Sequence, residues 1–150
     1  KEYTKAEEYY RQSLDMYKRI HGEDSDHPDI AALLNRLGNN YYNMAEYTKA
    51  EEYYKLSLDM RKHIHGEDSD HPDIAVVLHN IGSNYHYMAE YTKAEEYYRQ
   101  SLEMRKRIHG EDSDHPSIVN ILHGLGLTYD AMEEIEQEWI QFVSICPPSR

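Results

Sequence analysis

Apolar side chains recur along this chain in the three-and-four rhythm of helices buried on one side. Ile30, Leu34, Leu37, Tyr41 and Met44 form one such stripe, and Ile74, Leu78, Ile81, Tyr85 and Met88 form a second. Polar residues fill the positions between them, as expected of amphipathic helices that share a core. The pattern is itself periodic. EYTKAEEYY begins at Glu2, Glu46 and Glu90, and HGEDSDHP begins at His21, His65 and His109, so both segments recur every 44 residues. Self-similarity on that scale predicts stacked supersecondary units, each burying its apolar face against the next.

Each unit reads as two helices. One begins at YTKAEE, where Thr4, Thr48 and Thr92 are candidate N-caps and Glu7, Glu51 and Glu95, three residues on, complete capping boxes. It stops at Gly22, Gly66 or Gly110, each placed for the positive-φ position past a helix end. The other begins at SDHP, with Asp26, Asp70 or Asp114 as cap and Pro28, Pro72 or Pro116 in the first turn. It runs to about Met44, Met88 and Met132. Turns of two to three residues then force antiparallel packing. Gly38, Gly82 and Gly126 fall inside these helices, where glycine costs about 1 kcal/mol relative to alanine; their recurrence predicts close approach of a neighbouring helix. Ala50 and Ala94 mark similar contacts, with Tyr54 and Tyr98 filling the core one turn later.

The chain resembles the tetratricopeptide repeat family: a large apolar residue, Leu-Gly, Tyr, Ala and an aromatic appear as Leu34, Leu37-Gly38, Tyr41, Ala50 and Tyr54, then as Leu78, Ile81-Gly82, Tyr85, Ala94 and Tyr98. Leu stands where the family often has Trp, and Ser57 and Ser101 replace its late alanine. The long unit with its Gly-to-His-Pro turn is similar to the repeats of kinesin light chain and nephrocystin-3. The resemblance covers nearly all of residues 2–132. It implies an all-α fold, a right-handed α-solenoid of antiparallel helix pairs, with the first helix of each unit lining a concave groove that holds a peptide or a partner helix.

The expected organisation is a single array over residues 1–145. It comprises the second helix of a partial repeat (3–21), repeats 27–65 and 71–109, a divergent last repeat or capping helix (115–145) and a tail, 146–150. In the last unit Glu136 replaces the capping Thr, Glu138 the packing Ala, Phe142 the core Tyr and Ile145 the Ser. A charged side chain does not fit a tight alanine site without a partner. Residues 134–145 are therefore read as a helix packed in its own way, with Trp139 and Phe142 capping the stack or docking on another subunit. The chain starts inside a repeat, which points to a fragment of a longer array or to an open end that stacks on another molecule.

Differences among the copies locate a candidate recognition surface. The first helices IAALLNRLGNNYYNM, IAVVLHNIGSNYHYM and IVNILHGLGLTYDAM keep their apolar stripe and vary along one other face. That face carries Ala32, Asn35, Arg36, Asn39, Tyr42 and Asn43, then Val76, His79, Asn80, Ser83, His86 and Tyr87, then Asn120, His123, Leu127, Asp130 and Ala131. Asn can both donate to and accept from an extended peptide, and Tyr and Arg are common anchors. Drift of an exposed face after duplication is the alternative explanation. His79, His86 and His123 could make the groove chargeable near pH 6–7, although neutral imidazoles in an amide-lined groove are the preferred reading.

Charge and composition narrow the function. The net charge of −12 disfavours nucleic acid. Eleven of the 28 acids sit in the repeated turns and helix starts, so that figure describes no single face. No run of about 18 apolar residues could span a membrane. The single cysteine, Cys146, and the absence of a signal-like N-terminus point to a cytoplasmic protein. The 15 tyrosines suit a thin, surface-rich protein, since each packs its ring with the hydroxyl in water. The two histidines and three acids of HGEDSDHP raise metal binding, but no zinc or calcium ligand spacing accompanies them. No residue stands out as a nucleophile with a base. The reading is a protein- or peptide-binding scaffold without cofactor, metal or catalysis; the alternative is a structural spacer that self-assembles end to end through its terminal helices.

Overall fold

The computed structural model describes residues 2–145 and contains six helices there: α1 (Glu2–His21), α2 (Pro28–Asn43), α3 (Tyr47–His65), α4 (Pro72–Tyr87), α5 (Tyr91–His109) and α6 (Pro116–Ile145). Cys146 and the tail expected at 146–150 lie outside the described residues. Each helix packs on its neighbours in sequence, and α4 also touches α2 and α6. This is the one-dimensional contact pattern of a helical repeat array.

The start and stop signals divide into those the structure bears out and those it moves. Gly22, Gly66 and Gly110 end their helices at φ of 102°, 105° and 103°, backbone that side chains other than hydrogen rarely adopt. The caps of α2 and α4 are His27 and His71 rather than the preceding aspartates, because each imidazole Nδ1 accepts the N–H two residues on at 3.2 Å. His115 does the same for Ser117. Thr48 and Thr92 are not caps either: α3 and α5 begin at Tyr47 and Tyr91, two residues earlier than those caps would place them, after Glu46 and Glu90 and without a side-chain cap bond. The glutamates expected to close those capping boxes join successive units instead. Glu7, Glu51 and Glu95 accept the phenol protons of Tyr41, Tyr85 and Tyr129 at 2.6, 2.7 and 2.5 Å. Those bonds hold the Glu7 and Glu95 carboxyls below their ordinary pKa.

The turns after α2 and α4 are Schellman motifs. Ala45 and Ala89 sit at φ 58°, and the N–H groups of Glu46 and Glu90 reach back to the carbonyls of Tyr41 and Tyr85 at 2.9 Å. Glu133 occupies the corresponding place in the last unit, and there no turn forms: α6 continues unbroken to Ile145. The expected break near Met132 and a separate helix over 134–145 are thus corrected. A straight helix keeps Glu138 in solvent, whereas folding back would carry it into the site where Ala50 and Ala94 are fully buried.

The core is a column of side chains from alternating helices, including Tyr41, Ala50, Tyr54, Ile74, Leu78, Ile81, Tyr85, Ala94, Tyr98 and Ile121. The serines at the usual alanine site are accounted for: Ser57 and Ser101 are fully buried, and their hydroxyls donate to the carbonyls of Ala31 and Ala75 at 2.7 Å. Gly38 and Gly82 face the rings of Tyr54 and Tyr98, where an added Cβ would lie 2.5 and 2.8 Å away. Gly126 does not follow them. It is exposed, with nothing within 4 Å of such a Cβ, and Gly124 takes the contact against Tyr98 instead. Phe142, the counterpart of the rings that cover Gly38 and Gly82, is carried outward by the unbroken α6. Gly38→Ala should therefore destabilise the fold by about 1–3 kcal/mol through overpacking, and Gly126→Ala should stabilise it by up to about 1 kcal/mol through helix propensity. Urea unfolding of the two variants beside the wild type checks both signs.

Candidate protein-binding groove

The first helices of the units, α2, α4 and α6, stand side by side, so corresponding positions on them line up across the array. The Asn80 amide donates to Asn35 Oδ1 at 3.0 Å and to Asn39 Oδ1 at 3.4 Å. His86 Nδ1 lies 3.1 Å from Thr128 Oγ1. Tyr42 meets Tyr87 edge to face at 5.5 Å, and Tyr47 stacks on Tyr87 at 6.0 Å. Burial, and then the facing Tyr87, push the Tyr42 phenol well above its ordinary pKa.

A cavity of about 280 Å³ opens on this face and is bounded by Tyr42, His79, Ser83, His86, Tyr87, Tyr98, Asn120, His123, Gly124 and Leu127. It brings together eight of the residues that copy-to-copy variation singled out: Tyr42, His79, Ser83, His86, Tyr87, Asn120, His123 and Leu127. Arg36, Asn39, Asn43 and Asp130 are exposed but do not line it. Asn35 is buried beneath Asn80 and serves the contact between helices. Asn39 has a structural bond of its own, accepting the Tyr54 hydroxyl at 2.7 Å. Trp139 and Phe142 are exposed on the last turns of α6, their rings stacked at 5.9 Å.

Two lining residues are absent from the surface read from the copies, Tyr98 and, at a varied position, Gly124. Tyr98 comes from α5, a helix nearly identical to its counterpart, so variation carried no signal. Its ring floors the cavity, and its hydroxyl lies 2.9 Å from Ser83 Oγ. Gly124 replaces Arg36 and Asn80 of the earlier units. A Cβ there would come within 2.8 Å of the Tyr98 ring, so the glycine is what lets α6 approach.

Burial favours the neutral form of two histidines on this face, His79 and His86. Burial, with a smaller contribution from the Arg105 charge, lowers the His79 pKa, and burial lowers that of His86. The turn histidines pair off instead: His21 with His27, His65 with His71 and His109 with His115 stack at 3.7, 3.5 and 3.8 Å, nearly parallel. Among the described residues His65, His71 and Asp73 gather donor atoms within 4.8 Å of one another. His71 Nδ1 is already engaged in capping α4, and parallel rings cannot both aim an in-plane lone pair at one ion. The arrangement fits a turn clasp better than a metal centre.

Residues 1–63, 29–107 and 73–137 match the tetratricopeptide repeat model in three overlapping registers. The chain belongs to the tetratricopeptide repeat family. No curated protein matches it. Among solved structures it is similar to BtubC (BKLC) from P. vanneervenii, with 21% identity and a TM-score of 0.77 over 99% of this chain. It is also similar to a putative kinesin light chain of Podosopora anserina with nearly identical TPR-like repeats, seen in two structures. A form of that protein carrying one substitution gives 20% identity and a TM-score of 0.68 over 95% of this chain, and the unsubstituted form gives 20% and 0.67. This tetratricopeptide repeat chain spans 61% of the BtubC chain and 66% of the others. At these identities the likeness is one of fold. Tetratricopeptide repeat domains generally bind protein partners, and no helix among the described residues is long and apolar enough to cross a membrane.

The depressed His79 pKa has a consequence for stability. The unfolded chain takes up that proton first, at about its ordinary value of 6.5. The contribution of neutral His79 is therefore complete above that value and erodes as pH falls below it. His79→Gln should flatten the fall in melting temperature between about pH 7 and about pH 5 relative to wild type. Thermal melts across that range measure the difference in slope.

Proposed function

We propose that this chain is a protein-interaction scaffold that holds an extended peptide or a partner helix on the concave face formed by α2, α4 and α6. The observation that carries this reading is the cavity bounded jointly by Tyr42, His86, Tyr87 and Leu127, in which aromatic and polar groups from successive units converge. Tyr87 and Leu127 are 60% and 47% exposed, well above what the core stripe shows, so they can be covered by a ligand. Aromatic anchors beside amides and hydroxyls are the composition that supports hot-spot binding. The groups gathered here suit binding: the Ser83 and Thr128 hydroxyls are held by Tyr98 and by the Gly124 carbonyl, and burial favours neutral His79 and His86.

The test uses Tyr87→Ala with Leu127→Ala, which removes contact area without orphaning a buried hydrogen bond; Asn39→Ala would strand the Tyr54 hydroxyl. Partners recovered on wild-type protein should bind the double variant at least about tenfold more weakly, as loss of hot-spot residues implies. Unchanged affinity in titration calorimetry, with an unchanged melting temperature, would move the site off this face.

A second reading, an array that assembles end to end, draws on the terminal helices. α1 has no buried residue and exposes Tyr3, Tyr9, Met16 and Ile20, while the end of α6 exposes Ile135, Trp139, Ile140 and Phe142. Apolar patches of this kind mark interaction surfaces. Under this reading, sedimentation velocity finds association that rises with concentration and is abolished by Trp139→Ser with Phe142→Ser. A wild-type chain that stays monomeric at high micromolar concentration would rule it out.

A further inference from the structure

Two helix faces of this array are open, and each is the complement of the other. α2 and α4 are covered by the second helix of their own unit. α3 lays Tyr54 on Gly38, donates the Ser57 hydroxyl to the Ala31 carbonyl and stacks Tyr53 on Tyr41 at 5.3 Å. α5 repeats the set on α4, with Tyr98 on Gly82, Ser101 bonded to the Ala75 carbonyl and Tyr97 against Tyr85 at 5.5 Å. On α6 the corresponding places are held by Gly126, Val119 and Tyr129. Among the described residues no helix covers them: all three are exposed, and Leu122 beside them is 51% exposed where Leu34 and Leu78 are 6% and 3%. Spacings of three and four put Val119, Leu122, Gly126 and Tyr129 on one stripe of the helix.

α1 is the reverse case. Its Ala6, Tyr9, Tyr10 and Ser13 hold the places of Ala50, Tyr53, Tyr54 and Ser57 in α3. Among the described residues α1 packs on α2 alone. Ala50, Tyr54 and Ser57 are buried, whereas Ala6, Tyr10 and Ser13 are only half-buried and Tyr9 is 69% exposed. One end of the chain thus presents a second helix's covering face, and the other end presents a first helix waiting for one.

We propose that the occupant of the open α6 face is α1 of a second copy of this chain, with Tyr10 laid on Gly126, the Ser13 hydroxyl donated to the Val119 carbonyl and Tyr9 stacked on Tyr129. The chain makes this same contact twice within itself, which fixes its register. The inference rests on the end-to-end reading and deepens it. It puts the contact on the other side of α6 from Trp139 and Phe142, which lie roughly half a turn around the helix axis from Gly126. In that register α2 of the incoming copy stands beside α6 as α4 stands beside α2. Its Asn43 faces Asp130 as Tyr87 faces Tyr42, and its Arg36 comes over His123 and Leu127 as Asn80 comes over Asn35 and Asn39. Arg36, Asn43 and Asp130, which lie outside the cavity of one chain, then line a groove that runs on from copy to copy. The two contacting faces differ, so the interface is heterologous and growth does not stop at a dimer. Val119 is bulkier than Ala31 and Ala75, and Leu127 replaces the Asn39 and Ser83 that engage the ring hydroxyls. The contact between copies is therefore weaker than those within a chain, and reversible. Each copy carries a net charge of −12, so added salt strengthens the association by screening repulsion.

Sedimentation velocity at about 0.5 M salt, where charge repulsion is screened, reads the assembly. The wild-type mass should rise with concentration past that of a dimer. Gly126→Val puts a side chain where the incoming ring must lie, and Ala6→Gln with Tyr9→Ala spoils the opposing face. Each protein should associate about tenfold or more weakly than wild type. Mixed together, the two should recover a 1:1 dimer and nothing larger, because α1 of the first and α6 of the second remain intact; variants that had merely failed to fold could not recover it. The Trp139→Ser, Phe142→Ser protein should assemble as the wild type does. Association lost in that protein but kept in Gly126→Val overturns the proposed contact and leaves the end-to-end reading standing. A wild-type mass that levels off at a dimer, or a mixture that forms no heterodimer, also overturns the contact. A wild-type chain still monomeric at roughly 1 mM overturns both this contact and the end-to-end reading.

Discussion

The array depends on tyrosine rings laid flat against helix backbone. Tyr54 lies on Gly38, and Tyr98 lies on both Gly82 and Gly124. A side chain at any of these glycines would push the paired helices apart. Removing the Cβ lets each second helix settle close to its first helix, which fixes the tilt at which the next unit must pack. The cost of glycine within a helix, about 1 kcal/mol, is offset by the area such a ring buries. Dense interiors transmit a misfit of this kind to their neighbours, so one oversized residue would disturb more than its own unit.

The same rings tie stability to the proposed binding face. Tyr98 is a core residue from below and the floor of the groove from above, its hydroxyl held by Ser83. Tyr54 plays the corresponding part beneath Asn39. The groove is therefore not a loop-borne site attached to a scaffold. Its walls are the outward faces of helices whose inward faces make the core, and its geometry is as rigid as the stacking. A surface of this kind is pre-organised and loses little conformational freedom when something docks on it. The links between units reinforce the rigidity, since each Glu7–Tyr41 type of contact joins a second helix to the following first helix.

The last unit shows what happens when one member of the set changes. Glu133 in place of a left-handed alanine, Glu138 in place of a buried alanine and Ser117 in place of an aspartate each break a local rule that the earlier copies keep. The first two leave α6 straight and its aromatic end uncovered, and the third leaves Arg105 without the carboxylate that Arg61 has in Asp73. Near-identical copies act as internal controls here, because the surrounding packing is held constant while single residues vary.

Periodicity was enough to determine the first five helices, the turns between them, the all-α repeat fold and the helix face that carries eight of the cavity-lining residues. These properties follow from local rules: a helix has a fixed angular step, glycine alone tolerates the turn conformation after a second helix, and a repeated apolar stripe must be buried each time it recurs. Tertiary packing decided the rest. Only contact between helices reveals that Glu51 serves Tyr85 rather than its own helix start, and that Asn35 and Asn39 are bound into the array. The absence of a break in α6, the role of Gly124 in place of Gly126 and the isolation of Arg105 have the same origin. Each depends on which groups compete for one partner across a gap between helices, and residues 12 to 45 positions apart carry no shared signal in the chain until the stack places them together.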